Sequence, residues 1–219
     1  MPEVWKNEDY VKRYNKVYGI TEDQIKRYLA PLKLNDSDVA IEFGCGNGEI
    51  IGRVADLVKT IVGVDLSKTQ LECASKNLAN NKNVILLESS FLDCNISKYS
   101  FTKGFSRKAL HHLTDDEKEK FVEKIAPHFE KDSLFVIEDG IFNFDKALLK
   151  EKVPEIVAEA KVYYGDNWPH VEKDFMITIL EEFITDYATW EKAFLKCGFK
   201  TVEKTPYSMF YGLAVFKKS

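Results

Sequence analysis

Three glycines at alternate positions, Gly44, Gly46 and Gly48, follow a carboxylate at Glu42, and a second carboxylate, Asp65, lies 19 positions beyond Gly46. Glycine tolerates positive φ and lets a ligand come close to the backbone, so the run reads as a binding turn. A carboxylate placed like Asp65 can accept from both hydroxyls of a ribose. Charge-assisted bonds of that kind contribute about 1.5–3 kcal/mol each. A dinucleotide turn requires a glycine at the sixth position, which counted from Gly44 is Glu49. A carboxylate there opposes a pyrophosphate at the helix N-terminus. The expected ligand is therefore a nucleoside without phosphate, and the acids at Glu42 and Glu49 suit one that carries positive charge.

Other residues offer chemistry further along. His111 and His112 are adjacent, and either is placed to act as a general base or to orient a reactant. Asp139 follows an apolar run and is a candidate to bind an amine or take its proton. Tyr10, Tyr14 and Tyr18 recur every four residues and put three phenols on one helix face, with Tyr14 a candidate substrate contact. Trp168 and His170 sit in an aromatic stretch and are candidates to line a substrate pocket. Cys45, Cys73, Cys94 and Cys197 form no Cys-x-x-Cys pair and no Cys/His cluster with zinc spacing, so no metal site is expected and the thiols read as reduced.

The elements that must hold these residues alternate. Short apolar strands are predicted at 39–43, 60–65, 83–88, 102–106 and 133–138, separated by helices at 49–57, 67–78 and 114–129. Thr21 with Gln24, Ser67 with Gln70 and Thr114 with Glu117 mark helix starts. Alternating strands and helices imply a doubly wound α/β fold: a seven-stranded, mostly parallel sheet with its last strand antiparallel and helices on both faces. The hairpin expected at 200–216, with Pro206 at its turn, supplies the final two strands. The whole chain, 1–219, reads as one domain, with leading lid helices in residues 1–34 and an inserted cap at about 142–185. A helix is expected in the cap over 146–163.

Composition narrows the classes further. The formal net charge is −4 and the sequence pI about 5.7, which disfavours nonspecific nucleic-acid binding. Apolar runs are too short for a membrane span. The first residues lack an apolar signal core, so a cytoplasmic location is expected. Oligomeric state is not readable.

The pattern Glu42-x-Gly44-x-Gly46-x-Gly48 with Asp65 resembles the first two motifs of the class I S-adenosylmethionine-dependent methyltransferases. Leu87 to Asp93 and Phe105 to Leu113 resemble that family's segments after the third and fourth strands, the latter in its small-molecule branch. The resemblance covers about residues 36–140. It implies S-adenosylmethionine as cofactor, with Gly44 and Gly46 under the methionine, Glu42 toward its amino group, Asp65 on the ribose and Leu66 against adenine. Ser90 stands where the family often has an aspartate, and Phe91 would wall the adenine. Ser106 or Arg107 would border the methionine. The implied function is methyl transfer to a small-molecule acceptor by direct displacement. The alternatives are a protein or tRNA methyltransferase, or a non-catalytic S-adenosylmethionine-binding protein; a nicotinamide oxidoreductase ranks behind them.

Overall fold

The computed structural model describes residues 19–219. Tyr10, Tyr14 and Tyr18, with the first expected lid helix, lie outside them. Helix α1 runs Glu22–Leu29, entered through the Thr21/Gln24 capping box. Then follow β1 (Val39–Phe43), α2 (Glu49–Ala55), β2 (Thr60–Asp65), α3 (Lys68–Asn77) and β3 (Val84–Glu88). Strand β4 (Phe101–Arg107), helix α4 (Asp115–Ile125) and the long β5 (Phe129–Asp139) complete the alternating part.

The seven-stranded sheet has the order β3-β2-β1-β4-β5-β9-β8, where β8 is Phe199–Pro206 and β9 is Gly212–Lys218. Strands β1 to β5 pair in parallel, and β9 runs antiparallel to β5 and to β8. The expected doubly wound architecture is therefore present. Pro206 closes β8 opposite Gly212 rather than occupying the turn, which spans 207–211. A proline has no N–H for the ladder, so an end position on the sheet's outer strand suits it.

Alternation along the strands builds two apolar layers. Ile41, Phe43, Phe135, Ile137, Ala214 and Phe216 face α4 and α7 (Tyr187–Lys196), where Phe194 stacks on Phe216 with centroids 3.9 Å apart. Ala40, Ile61, Phe105, Val136, Leu213 and Val215 face α1, α2 and α3. Burial of such side chains stabilises by about 1.5–3 kcal/mol each.

Residues 143–184 form the insertion. Two short strands, β6 (Ile141–Phe142) and β7 (Thr185–Asp186), pair in parallel at its neck. Its helices are α5 (Leu149–Tyr164), preceded by a short 3-10 turn at Lys146–Leu148, and α6 (Trp168–Leu180). The second helix escapes the sequence reading because Trp168-Pro169 looks like a breaker. Proline is tolerated in a helix's first turn, where its N–H would have no partner anyway. Phe142, Ile156, Ala160, Trp168, Val171, Phe175, Ile179 and Ile184 give the insertion an apolar cluster of its own.

Candidate functional site

A cavity of about 510 Å³ opens at the carboxyl end of β1, β2 and β4. Glu42, Gly44, Gly46, Asp65, Leu66, Ser90, Phe91 and His112 all border it, and so does Arg107. Its position follows from the strand order: β1 has β2 on one side and β4 on the other, so the chain diverges there and leaves a crevice.

The glycine loop is built by backbone demands. Gly44 and Gly46 adopt φ of +80° and +51°, values that side chains with a Cβ disfavour. A Cβ on Gly44 would stand 2.3 Å from the Cβ of Ala109. The loop and the turn after β4 therefore meet only because Gly44 has no side chain. Asp65 ties the loop to the next helix: Gly46 N–H donates to its Oδ2 and Ser67 N–H to its Oδ1, each at 2.8 Å. Ser67 then caps α3 by accepting from Gln70 N–H. A carboxylate has about four lone-pair positions, so the backbone donors leave part of its capacity for a hydroxyl donor. Burial raises the Asp65 pKa, with those backbone donors opposing it.

Glu42 is the electrostatic centre of the floor. It is 1% exposed, and its Oε2 has no hydrogen-bond partner among the described residues. Burial raises its pKa well above the ordinary carboxylate value, the Asp65 charge adds to that, and Arg107 opposes it. A cation in the cavity would meet this carboxylate without displacing a protein partner. Arg107 is committed to another acid: its Nε donates to Glu138 Oε1 at 2.8 Å, where the Tyr211 hydroxyl also donates at 2.9 Å. Lys108 borders the cavity with a positive φ of +50°, and its pKa falls to about 8, from burial first and then the Arg107 charge.

The paired histidines separate in role. His111 Nδ1 lies 2.5 Å from Asp139 Oδ1, and its Nε2 lies 3.3 Å from Glu182 Oε2. Burial alone would lower the His111 pKa, but the charge and hydrogen bond of Asp139, helped by Glu182, carry it up to about 10. His112 is lowered to about 4 by burial and by the charge of His111. Of the two, only His112 borders the cavity.

Several predicted contacts are placed elsewhere. Asp139 does not reach the cavity. Its Oδ2 accepts from the N–H groups of Ala109, Leu110 and His111, and its Oδ1 from Gly140, so it fastens the turn after β4 from below. Ser106 is fully buried and donates to the Phe43 carbonyl at 2.8 Å. Both belong to the α4-facing side of the pleat, whereas Glu42 and Arg107 face the other side. Trp168 packs on Tyr164 and Phe175 inside the insertion, and His170 is exposed on it. Among the described residues, none of the insertion borders the cavity. Sequence reasoning missed Gln70, Lys108 and Glu117 at the cavity wall and Glu182 beside the histidines. A strict period of two counted from Phe105 selects Arg107 over Ser106; Glu182 has no local signal, because the neck brings it in from far along the chain.

Residues 40–132 match the family model described as a methyltransferase domain. An uncharacterised methyltransferase of Anoxybacillus flavithermus is 27% identical over 213 residues, covering 94% of this chain and 93% of that one. The crystal structure of the YcgJ protein of Bacillus subtilis superposes with a TM-score of 0.67 at 15% identity, over 90% of this chain and 99% of that one. Magnesium protoporphyrin IX methyltransferase of Synechocystis, solved with bound S-adenosylhomocysteine, gives a TM-score of 0.67 at 12% identity, over 98% and 97% of the two chains. These two structures share the fold.

Proposed function

We propose that this chain is a class I methyltransferase dependent on S-adenosylmethionine and that it methylates a small-molecule acceptor held in the cavity at the end of β1, β2 and β4. The observation that carries the reading is the buried Glu42 carboxylate, unpartnered at Oε2 on the floor of a cavity whose neighbouring strand ends in Asp65.

The residues present fit the cofactor. Glu42 meets the methionine ammonium or the sulfonium charge. The bare backbone of Gly44 and Gly46 leaves room for the methionine chain. Asp65 uses its remaining lone pairs on the ribose, and Leu66, Ser90 and Phe91 border the adenine. S-adenosylmethionine supplies an activated methyl carbon, so the chain need only align the acceptor and exclude water. His112, held neutral at the cavity wall, orients the acceptor with a ring nitrogen. His111 and Asp139 position it from behind: Asp139 fixes the backbone of the turn that carries His112, and the His111 ring fills the space between Asp139 and Glu182.

A cavity of about 510 Å³ falls in the usual range for small-molecule sites. The net charge of −4 agrees with that class better than with a polyanionic acceptor. Isothermal calorimetry with S-adenosylhomocysteine, with NAD as the control ligand, tests the cofactor site. Transfer of labelled methyl groups to a metabolite extract, compared with total tRNA and total protein, tests the acceptor class. Label found only in the macromolecular fractions would refute the small-molecule reading while leaving the cofactor site intact.

A further inference from the structure

We propose that His111, His112 and Glu182 form a binding site for a divalent transition-metal ion, in the chemical class of zinc, cobalt or manganese, where the neck of the insertion meets the turn after β4. The ligand atoms of the three residues all lie within 4.8 Å of one another. They come from two segments about 70 positions apart in sequence, which is why no metal spacing is visible in the chain itself.

The distances also suit a shared ion. Two ligands each about 2.0–2.1 Å from a tetrahedral ion stand roughly 3.4 Å apart. His111 Nε2 lies 3.3 Å from Glu182 Oε2, and His112 Nδ1 lies 3.7 Å from Glu182 Oε1. The Glu182 Oε2 atom is buried with no hydrogen-bond partner in good geometry among the described residues. The surrounding shell is also of the right kind. Metal-bound histidines usually give their second ring N–H to a carboxylate, which fixes the tautomer and aims the other nitrogen at the ion. Asp139 stands at 2.5 Å from His111 Nδ1 and is itself held by four backbone N–H groups. The His111 ring cannot turn away from Glu182 without breaking that bond.

Charge points the same way. Asp139 and Glu182 bring two negative charges to a buried spot, and an imidazolium at His111 offsets only one. Lys118 is close by, but its charge is paired with Asp115 at 3.4 Å, and its ammonium donates to the carbonyls of Leu113 and Phe183. A divalent ion with neutral His111 balances both carboxylates. Two imidazoles and one carboxylate favour a transition ion over magnesium or calcium, which prefer oxygen ligands. Since His112 borders the cavity, the ion would form part of its wall and would also clasp the insertion's neck to the core.

The test uses the full chain without a polyhistidine tag, dialysed against chelator and titrated with cobalt(II). One equivalent should develop the visible bands of a low-symmetry cobalt site. Affinity should fall at least tenfold in Glu182→Gln and in His112→Gln, and stay unchanged when the two other histidines are replaced in His128→Gln/His170→Gln. Circular dichroism checks that each variant is folded. A crystal soaked in zinc should show an anomalous peak between the three side chains, a readout that needs no variant. Absence of the bands, equal affinity in Glu182→Gln, or an anomalous peak found only elsewhere would overturn the proposal.

Discussion

Glu42→Gln should make the ligand-free protein more stable and the cofactor complex weaker. The carboxylate is buried, with one oxygen lacking a partner among the described residues, and Asp65 stands near enough to raise its pKa further. An unsatisfied buried polar atom costs about 1–3 kcal/mol, more when charged. Removing the charge while keeping the shape should recover about 1–2 kcal/mol of that. For a chain of this size, that corresponds to a rise in Tm of about 2–8 °C. In the complex the sign reverses. Losing one charge-assisted bond to a cation forfeits about 1.5–3 kcal/mol, a roughly 10- to 150-fold weaker Kd. The effect also depends on pH. Because the folded pKa of Glu42 is raised, the folded state holds a proton that the unfolded state has released. Stability is then intact below the unfolded value near 4.5 and declines as pH rises toward the folded value. The variant should lack this part of the decline. Differential scanning fluorimetry from pH 4.5 upward, with calorimetric titration of S-adenosylhomocysteine at pH 7.5, measures both halves. A variant that is less stable when free and binds equally well would show that Glu42 is a packing residue with no part in the site.

Asp65→Asn should weaken S-adenosylhomocysteine binding at least tenfold by calorimetry, a loss of about 1.4 kcal/mol or more, and unchanged affinity would remove Asp65 from the ribose contact. Gly44→Ala should destabilise the fold by about 1–3 kcal/mol in urea unfolding, because a Cβ there meets Ala109 at 2.3 Å and the backbone has φ of +80°. Ala109→Gly in the same chain should restore part of that loss, and a failure to do so would assign the penalty to φ alone. In chelator-treated protein, His111 should stabilise the fold fully below its unfolded pKa near 6.5, and that contribution should disappear as pH rises through about 10. The stability difference between wild type and His111→Gln, followed by urea unfolding from pH 6 to 10.5, should therefore shrink with rising pH; a constant difference would mean that the His111 ion pair does not form.

Much of the fold was legible because its signals are local. Strand β2, Thr60–Asp65, is an apolar run ended by a polar residue and a helix cap, and nothing distant is needed to recognise it. The glycine loop and Asp65 were legible for the same reason, since the turn's backbone demands glycine and the spacing spans one helix. Helix α6 and Glu182 were not. The helix begins at Trp168-Pro169, which looks like an interruption, and Glu182 gains its neighbours only when β6 and β7 close the neck. The residue type of Trp168 alone points to a pocket wall. Its actual partners, Tyr164 and Phe175, lie on the same short insertion, where an indole is needed to fill a small core.

The pleat explains why acids gathered at one sheet edge do different work. One row of side chains, on the α1-facing side, holds Glu42 opposite Phe105 and Val136 and then, two positions further along β4 and β5, the registered pair Arg107 and Glu138. Ser106 and Asp139 fall on the opposite face, above Phe135 and Ile137. The first row meets the cavity through Glu42 and Arg107, while the second fastens the β4 turn and, through His111, reaches the neck of the insertion. Moving a carboxylate by one residue along a strand would therefore exchange a ligand contact for a structural clamp without altering composition or charge. For the same reason Asp139, although it ends a strand at the cavity edge, reaches the cavity wall only through the turn it holds in place.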